Sequence, residues 1–149
     1  MKRIILPVDF SPKTDLLLEK AIEFAKLING KISLIHVAPN DLGYALGDVG
    51  FQYYPEIEQH EIKEELLQLN VLEQRVLAHD VDCDHYLKQG IARDVILDYA
   101  KELNADFIVM GSHGRSGMYD VFVGSLTKDL TKVAPIPVVV IPIHDSAKP

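Results

Sequence analysis

The stretch that decides the fold runs from Met110 to Lys128 and reads MGSHGRSGMYDVFVGSLTK. It follows a short apolar run, and its first two glycines, Gly111 and Gly114, have the spacing GxxG. Nine residues separate Gly114 from Gly124, which opens a helical segment together with Ser125. Glycines let backbone N–H groups approach an anion, and a helix N-terminus adds unsatisfied N–H groups and the positive end of its dipole. The stretch therefore predicts a phosphate-binding turn between a buried strand and a helix.

The rest of the chain predicts strands and helices in alternation. The five predicted strands are Arg3 to Val8, Lys31 to Ala38, Val81 to Lys88, Asp106 to Met110 and Val138 to Ile141. Apolar residues at three- and four-residue steps predict helices between them, a long one from Glu56 to His79 and a last one from Ser125 to Val133. This alternation is typical of an α/β fold, with an open parallel five-stranded sheet, right-handed crossovers and helices on both faces.

Cap residues mark the limits of the first predicted helix. Ser11 is a good N-cap and Pro12 suits the first helical position. Asn29 and Gly30 at the other end are residues that readily take the left-handed conformation that ends helices. The sequence thus predicts a helix that starts directly after the first strand and its Asp9.

The third predicted strand alternates strictly between apolar and polar positions, as a sheet edge does. One side carries Val81, Cys83, His85 and Leu87, and the other carries Asp82, Asp84, Tyr86 and Lys88. With this strand at an edge, the simplest strand order is 3-2-1-4-5, and the winding direction reverses between strands one and four. Ligands bind such sheets at that reversal, so the sequence predicts a crevice lined by Asp9 and the Gly111 loop.

Length and composition indicate one domain over residues 1–149, because 149 residues with 48% hydrophobic side chains suffice for a single core. No apolar run approaches the ~20 residues that cross a bilayer. Pro7 and Asp9 interrupt the first apolar run before the core of a signal peptide could form. We therefore expect a soluble, cytoplasmic protein without a membrane partner.

Cysteine, histidine and charge exclude several further classes. Cys83 is the only cysteine, which excludes an intramolecular disulfide and fits a reducing compartment. The six histidines show no paired spacing, so we expect no zinc site. A net charge of −7 without a Lys/Arg cluster argues against nucleic-acid binding.

The segment from Asn40 to Pro55 is predicted to be a long loop. It mixes three glycines with Tyr44, Phe51, Tyr53 and Tyr54. One interpretation is a surface loop whose aromatic side chains pack onto the sheet, and the other is a lid or a partner surface. The sequence leaves both open.

Three stretches together resemble the ATP-binding branch of the universal stress protein family. Turns use glycine for steric reasons too, but GxxG, nine residues and then Gly-Ser after the fourth strand is more specific. The first strand and turn, from Ile4 to Ser11, and the last strand, from Pro135 to Ile141, also resemble that family. The resemblance covers nearly the whole chain. It implies the same strand order, in a Rossmann-like fold of the adenine nucleotide alpha hydrolase type.

The resemblance also implies the residues of a nucleotide site. The predicted contacts are Pro7, Val8, Asp9, Val37, Met110, Gly111, His113, Gly114, Arg115, Gly124, Ser125 and Leu126. The glycines and Ser125 would hold the phosphates, Val37 the adenine, and Asp9 the ribose or a magnesium-bridged phosphate. Arg115 could pair with a phosphate.

Each of these residues also has a purely structural interpretation. Ser125 or Asp9 could cap a helix, Val37 and Met110 could be core residues, and His113 could orient its loop. No carboxylate in the sequence is an evident partner for His113, which argues against a general base. We therefore expect no catalytic residue.

The function that this resemblance implies is that of a cytoplasmic stress-response regulator that binds ATP or AMP, with Mg²⁺ accompanying ATP. It would act as a nucleotide-dependent switch toward an unknown protein partner, with at most slow hydrolysis. The alternatives are a dimeric scaffold that binds no nucleotide and an ATP-using enzyme on a related fold. The SGGxDS loop of such enzymes is missing after strand one. A further alternative is a phosphoacceptor receiver domain, because Asp9 ends strand one, but the lysine that such a domain needs at the end of the last strand is missing.

The last strand predicts a homodimer. Val138 to Ile141 is an uncharged apolar run at the predicted edge of the sheet, where unpaired strands invite pairing with another chain. The alternative is that the tail from His144 to Pro149 covers that edge. In the related family the pairing is antiparallel across a two-fold axis, which implies an isologous interface.

Overall fold

A computed structural model of the chain describes residues 1–112 and 124–143. In chain order the elements are β1 (Lys2–Pro7), α1 (Thr14–Ile28), β2 (Gly30–Ala38), β3 (Tyr44–Gly47), β4 (Gly50–Tyr53), α2 (Pro55–Leu77), β5 (Cys83–Gln89), α3 (Ala92–Glu102), β6 (Phe107–Gly111), α4 (Ser125–Val133) and β7 (Val138–Ile141). Of the helices in these ranges, none combines the length and the hydropathy that crossing a bilayer requires.

Five parallel strands form one sheet in the order β5-β2-β1-β6-β7. β1 lies at its centre, with Ile4 opposite Ile32 of β2 and Phe107 of β6. The two additional strands, β3 and β4, form a separate sheet. The strands β5, β6 and β7 are therefore the predicted third, fourth and fifth strands, and the observed order is the predicted 3-2-1-4-5. The predicted fold class and topology are confirmed, with β5 and β7 at the two edges.

Helices cover both faces of the sheet because successive side chains of a strand point to opposite sides. Ile4 and Leu6 of β1 pack under α1 and α2, whereas Ile5 packs with α3 and α4. All three side chains are fully buried. An unbroken apolar run in a central strand therefore serves two cores at once.

The first helix begins later than its cap residues predict. Lys13 is its N-cap and makes no capping bond through its side chain, and residues 11–13 form a turn. The prediction of Ser11 as N-cap with Pro12 in the first helical position is therefore wrong. The predicted end is confirmed, since Asn29 takes the left-handed conformation (φ 52°) and its N–H donates to the carbonyls of Ala25 and Lys26.

The segment predicted as a long loop is instead a β-hairpin. Antiparallel β3 and β4 pair from Tyr44 opposite Tyr53 to Gly47 opposite Gly50, with a two-residue turn. That turn, Asp48-Val49, lacks the Asn-Gly or Asp-Gly pair that identifies hairpins in sequence. Phe51 is 78% exposed, and Tyr44 and Tyr53, which are 53% and 45% exposed, contact each other with ring centres 5.3 Å apart. Tyr54 is half-buried, and its hydroxyl donates to Oε1 of Gln52 (2.7 Å).

A closed polar network lies toward the amino ends of β1, β2 and β5. The buried Ser33 hydroxyl accepts from Arg3 Nη1 (2.7 Å) and donates to Asp84 Oδ1 (2.6 Å). Lys31 Nζ lies 3.1 Å from Asp84 Oδ2. Burial by itself raises the pKa of the Asp84 carboxyl, but the Ser33 hydrogen bond and the charges of Lys31 and Arg3 outweigh it and hold that pKa below its usual value. The network joins three strands through one carboxylate.

Candidate functional site

A crevice of about 250 Å³ opens at the carboxyl ends of the central strands, where the winding of the sheet reverses. Among the described residues, it is lined by Pro7, Val8, Asp9, Ser11, Lys13, Thr14, Leu17, Ile35, His36, Val37, Ala92, Ile96, Met110, Gly111, Gly124, Ser125, Leu126, Thr127 and Ile143. Helices that follow parallel strands begin at this edge, so α1, α3 and α4 all direct their N-termini toward it. The crevice therefore lies in the position that the sequence predicts for it.

The structure brings nine of the predicted site residues together around this crevice. They are Pro7, Val8, Asp9, Val37, Met110, Gly111, Gly124, Ser125 and Leu126. His113, Gly114 and Arg115 lie outside the described residues. Met110 is 6% exposed and belongs to the core that α3 and α4 cover, so it lines the crevice and serves as a core residue at once. That these residues contact a ligand stays a prediction.

Sequence reasoning missed lining residues from the turn before α1 and the start of that helix, and from β2, α3, α4 and the chain after β7. They are Ser11, Lys13, Thr14, Leu17, Ile35, His36, Ala92, Ile96, Thr127 and Ile143. A usable signal existed for several of them, because the first turn of every helix in a parallel α/β sheet lies at the ligand-binding edge. The late start of α1 obscured that signal for Lys13 and Thr14.

The start of α4 is fixed by two hydrogen bonds to the carbonyls at the end of β6. The Gly124 N–H donates to the Ser112 carbonyl (2.6 Å), and the Thr127 hydroxyl donates to the Gly111 carbonyl (2.9 Å). Gly124 is the N-cap, so the alternative that Ser125 caps this helix is wrong. Its φ of −56° is open to any residue, and glycine is therefore not required there for a positive φ. The first N–H groups of α4 have no acceptor inside the helix, which leaves them for an anion.

The turn after β1 is shaped by Asp9. Its Oδ1 accepts from the Ser11 N–H (3.0 Å), and the Ser11 hydroxyl oxygen in turn accepts from the Lys13 N–H (3.3 Å). Phe10 between them has a positive φ of 58°, an uncommon conformation for a residue with a side chain. Asp9 thus orders the chain ahead of α1 while its side chain also lines the crevice.

His36 connects the crevice wall to α2. Its Nδ1 lies 2.8 Å from the Val8 carbonyl, which only accepts, so this nitrogen carries a hydrogen. Its Nε2 lies 2.7 Å from Oε2 of Glu65 on α2. The Phe10 ring lies on the imidazole, with ring centres 4.4 Å apart. Both ring nitrogens are therefore occupied, Nδ1 by the chain at the end of β1 and Nε2 by α2.

The described residues include neither a metal cluster nor a reactive thiol. In residues 1–112 and 124–143, no group of three His, Cys, Asp or Glu side chains is placed to hold a metal ion. Burial first, and then the nearby carboxylates of Glu73 and Asp84, raise the pKa of the Cys83 thiol to about 12. Cys83 therefore stays protonated at neutral pH and is not a nucleophile. What the crevice offers is helix N-termini at its rim and apolar walls from Val37, Ile96 and Met110.

Comparison of the sequence with known proteins finds matches over almost the whole chain. The sequence model of the universal stress protein family matches residues 1–142. Universal stress protein YxiE of Bacillus subtilis is 26% identical over 144 residues, which cover 93% of this chain and 97% of that protein. Universal stress protein A of Escherichia coli is 32% identical over 114 residues, covering 75% of this chain and 76% of that protein.

Solved structures share the fold. Protein MJ0577 of Methanocaldococcus jannaschii superposes with a TM-score of 0.75 at 25% identity, over 97% of this chain and 98% of that one. A family member from Arabidopsis thaliana with AMP bound has a TM-score of 0.66 at 20% identity, covering 99% and 95% of the two chains. One from Archaeoglobus fulgidus in complex with dAMP has a TM-score of 0.65 at 23% identity, covering 95% and 98%.

Proposed function

The chain belongs to the universal stress protein family, and we propose that it binds an adenine nucleotide, AMP or ATP, in the crevice at the carboxyl ends of β1 and β6. One observation carries the proposal. Two stretches about a hundred residues apart in sequence, the end of β1 with Asp9 and the start of α4 with Gly124, line the same crevice at the reversal of the sheet.

The crevice has complementary parts for the two ends of a nucleotide. Val37, Ile96 and Met110 offer apolar surface for a purine ring. The first turn of α4, directly after Gly124, offers backbone N–H groups for a phosphate, and the predicted Gly111, Gly114 and Arg115 would complete that side. The AMP-bound and dAMP-bound relatives carry a nucleotide on the same fold, but at 20% and 23% identity they support the fold only. The proposal therefore depends on the crevice itself.

Magnesium fits the site as a companion of ATP. Among the described lining residues Asp9 is the only carboxylate, and Mg²⁺ in nucleotide sites is held by one or two carboxylates together with phosphate oxygens. When bound, the ion would neutralise the phosphates that face this carboxylate. Asp9 would then hold the cation on the protein side, while the N–H groups of α4 orient the phosphate.

The role of Asp9 can be separated from its role in the turn. Asp9→Asn keeps an oxygen that can accept from the Ser11 N–H but loses the charge. We expect this variant to lose magnesium-dependent ATP binding by about tenfold while AMP binding changes little, because a full charge is required only by the cation. Titration calorimetry with both nucleotides measures this. Equal losses for ATP and AMP would instead assign Asp9 to the ribose or to the turn.

At the level of the cell we propose a stress-response regulatory protein of the cytoplasm, built as one nucleotide-binding domain over residues 1–149. Nucleotide exchange would change its state toward a protein partner. Since the described lining residues include no nucleophile placed beside a base, hydrolysis would be slow at most.

We also propose a homodimer that forms through β7. This strand lies at the edge of the sheet, pairs with β6 on one side, and consists of four apolar residues that are all partly exposed. An uncharged edge of this kind invites pairing with a second copy. Light scattering at micromolar concentration should give twice the monomer mass, and a monomer mass would overturn the dimer.

The nucleotide proposal is tested by what the purified protein carries. Protein prepared from cells is denatured, and the supernatant is separated by ion-exchange chromatography to detect AMP, ADP or ATP. The protein freed of its contents is then titrated with AMP and ATP in the presence of Mg²⁺. Release of an adenine nucleotide, or saturable binding, is the expected result. Failure of both would favour a dimeric scaffold that binds no nucleotide.

A further inference from the structure

Helix α1 begins at the crevice with a positively charged side chain that the glycine motif does not include. Lys13 and Thr14, its N-cap and first residue, both line the crevice. Lys13 is the only lysine or arginine among the described lining residues. Because α1 follows β1 on one face of the sheet and α4 follows the adjacent β6 on the other, the two helix N-termini flank the crevice from opposite sides.

Thr14 carries a hydroxyl that nothing in the described part of the chain satisfies. The residue is 6% exposed, and its Oγ1 is buried without a hydrogen-bond partner in residues 1–112 and 124–143. Buried polar side chains are rarely left unpaired, because an unmade hydrogen bond costs free energy that folding does not recover. The only other side-chain oxygen in this condition among those residues is Oε1 of Glu65, whose second oxygen bonds His36.

We infer that the N-terminal turn of α1 is a second phosphate subsite, in which the Lys13 ammonium and the Thr14 hydroxyl bind the phosphates of a nucleoside di- or triphosphate beyond the first. The inference rests on the proposed function and deepens it. A monophosphate needs only the N-terminus of α4, whereas each further phosphate adds negative charge that must be neutralised. Among the described lining residues, Lys13 is the only lysine or arginine that could supply this charge, and the site then prefers ATP and ADP to AMP.

The covered position of the Thr14 oxygen is compatible with this role. Rotation about the Cα–Cβ bond carries the hydroxyl among three staggered positions, and a phosphate oxygen would supply the acceptor that the hydroxyl lacks. Asp9 lines the same crevice and repels phosphate, so Lys13 also offsets a like-charge contact. A longer phosphate chain therefore depends on Lys13 more strongly than AMP does.

The test compares three nucleotides in matched variants of the full chain. ATP, ADP and AMP are titrated calorimetrically into the parent, Lys13→Met and Lys20→Met. Lys20 lies on the same helix, outside the crevice, in an exposed pair with Glu23, so its variant controls for the loss of one positive charge. Lys13→Met should weaken ATP and ADP by about tenfold and AMP by less than about twofold. Lys20→Met should leave all three near the parent values.

Thr14 gives a readout that a purely structural residue would not give. Valine has nearly the shape of threonine, so Thr14→Val removes an unpaired buried hydroxyl and should raise the melting temperature of the nucleotide-free protein. The same variant should weaken ATP several-fold, because the phosphate loses its donor. Thr14→Ser keeps the hydroxyl and should bind ATP as the parent does.

The possible results separate this inference from the proposed function. If the parent binds AMP and ATP, but Lys13→Met lowers both affinities by one factor or lowers neither, the α1 subsite is wrong and the nucleotide site stands. If Thr14→Val is stabilised and binds ATP like the parent, the Thr14 hydroxyl is an unsatisfied buried group and does not bind phosphate. If the parent binds none of the three nucleotides, the proposed function and the inference fail together.

Discussion

The two ends of the central sheet differ in whether their polar groups are hydrogen-bonded to one another. Toward the amino ends, Arg3, Ser33 and Asp84 satisfy one another within a closed network. At the carboxyl ends, helix N-termini meet at an open crevice and the Thr14 hydroxyl has no partner in the described part of the chain. The same strands thus provide stability at one end and unsatisfied binding groups at the other.

This difference separates the residues that should change folding from those that should change binding. A variant in the amino-end network should lower the free energy of unfolding and leave nucleotide affinity unchanged. A variant at the crevice should lower nucleotide affinity and leave the free energy of unfolding nearly unchanged, because the crevice groups make few contacts within the protein.

The largest effect is expected at the glycine motif. Gly114→Val should abolish nucleotide binding and leave the fold intact, because a branched side chain fills space that a phosphate needs and disfavours a positive φ. Strain of this kind costs about 1–3 kcal/mol, which a domain stable by roughly 5–15 kcal/mol survives. Gly114 lies outside the described residues, so this prediction comes from the sequence alone.

Gly117→Val is the matched control for that variant. Gly117 lies in the same stretch but outside the GxxG spacing, and its variant should bind nucleotide better than Gly114→Val does. Calorimetry with ATP and circular dichroism distinguish binding from folding. Should both variants bind like the parent, or should both unfold, the glycine motif would be structural.

A smaller effect, on stability, is expected from one substitution made at both ends of the sheet. Ser33→Ala removes two hydrogen bonds to charged groups and should cost about 2 kcal/mol of unfolding free energy without changing AMP affinity. Ser125→Ala, at an exposed position on the crevice, should leave stability nearly unchanged and weaken AMP binding. Urea unfolding and calorimetry on both variants test this pair. Equal stability losses would contradict the division between the two ends.

The smallest effect is a pH dependence of the amino-end network. The pKa of the Asp84 carboxyl is lower in the folded chain than in the unfolded one, so this group stabilises the fold at neutral pH. That contribution is complete above the unfolded pKa of about 4 and is lost as the pH falls through the folded pKa. Urea unfolding of the parent and of Asp84→Asn should therefore differ at pH 7 and converge in acid. A difference that stays constant with pH would show that Asp84 contributes through its shape and not its charge.

The fold could be predicted from sequence because its signals are strong and consistent. Uninterrupted apolar runs indicated a parallel sheet, and the strict alternation from Val81 to Lys88 favoured one strand order, which is confirmed. The hairpin was missed because its turn, Asp48-Val49, carries no hairpin signature, although Tyr44, Leu46, Phe51 and Tyr53 alternate as strand residues do. Alternation alone does not distinguish an exposed hairpin from a loop, because the sequence does not show which of these side chains are buried.

The candidate site was predicted where it depends on backbone position and missed where it depends on side-chain pairing. Asp9 and Gly124 could be found from spacing, since strand ends and helix starts meet at one edge. His36 could not, because its role follows from contacts with Val8 and Glu65, residues distant in sequence. Thr14 could not either, since an absent hydrogen bond is visible only in three dimensions.

The most direct test is an AMP titration of ¹⁵N-labelled protein, followed by amide chemical shifts. We predict saturable shifts at the carboxyl ends of the strands, at Val8, Val37 and Ser125, while the amides of Ser33 and Asp84 at the other end stay fixed. An absence of shifts at saturating AMP would contradict it. Shifts confined to the amino-end network or to the hairpin would contradict it as well.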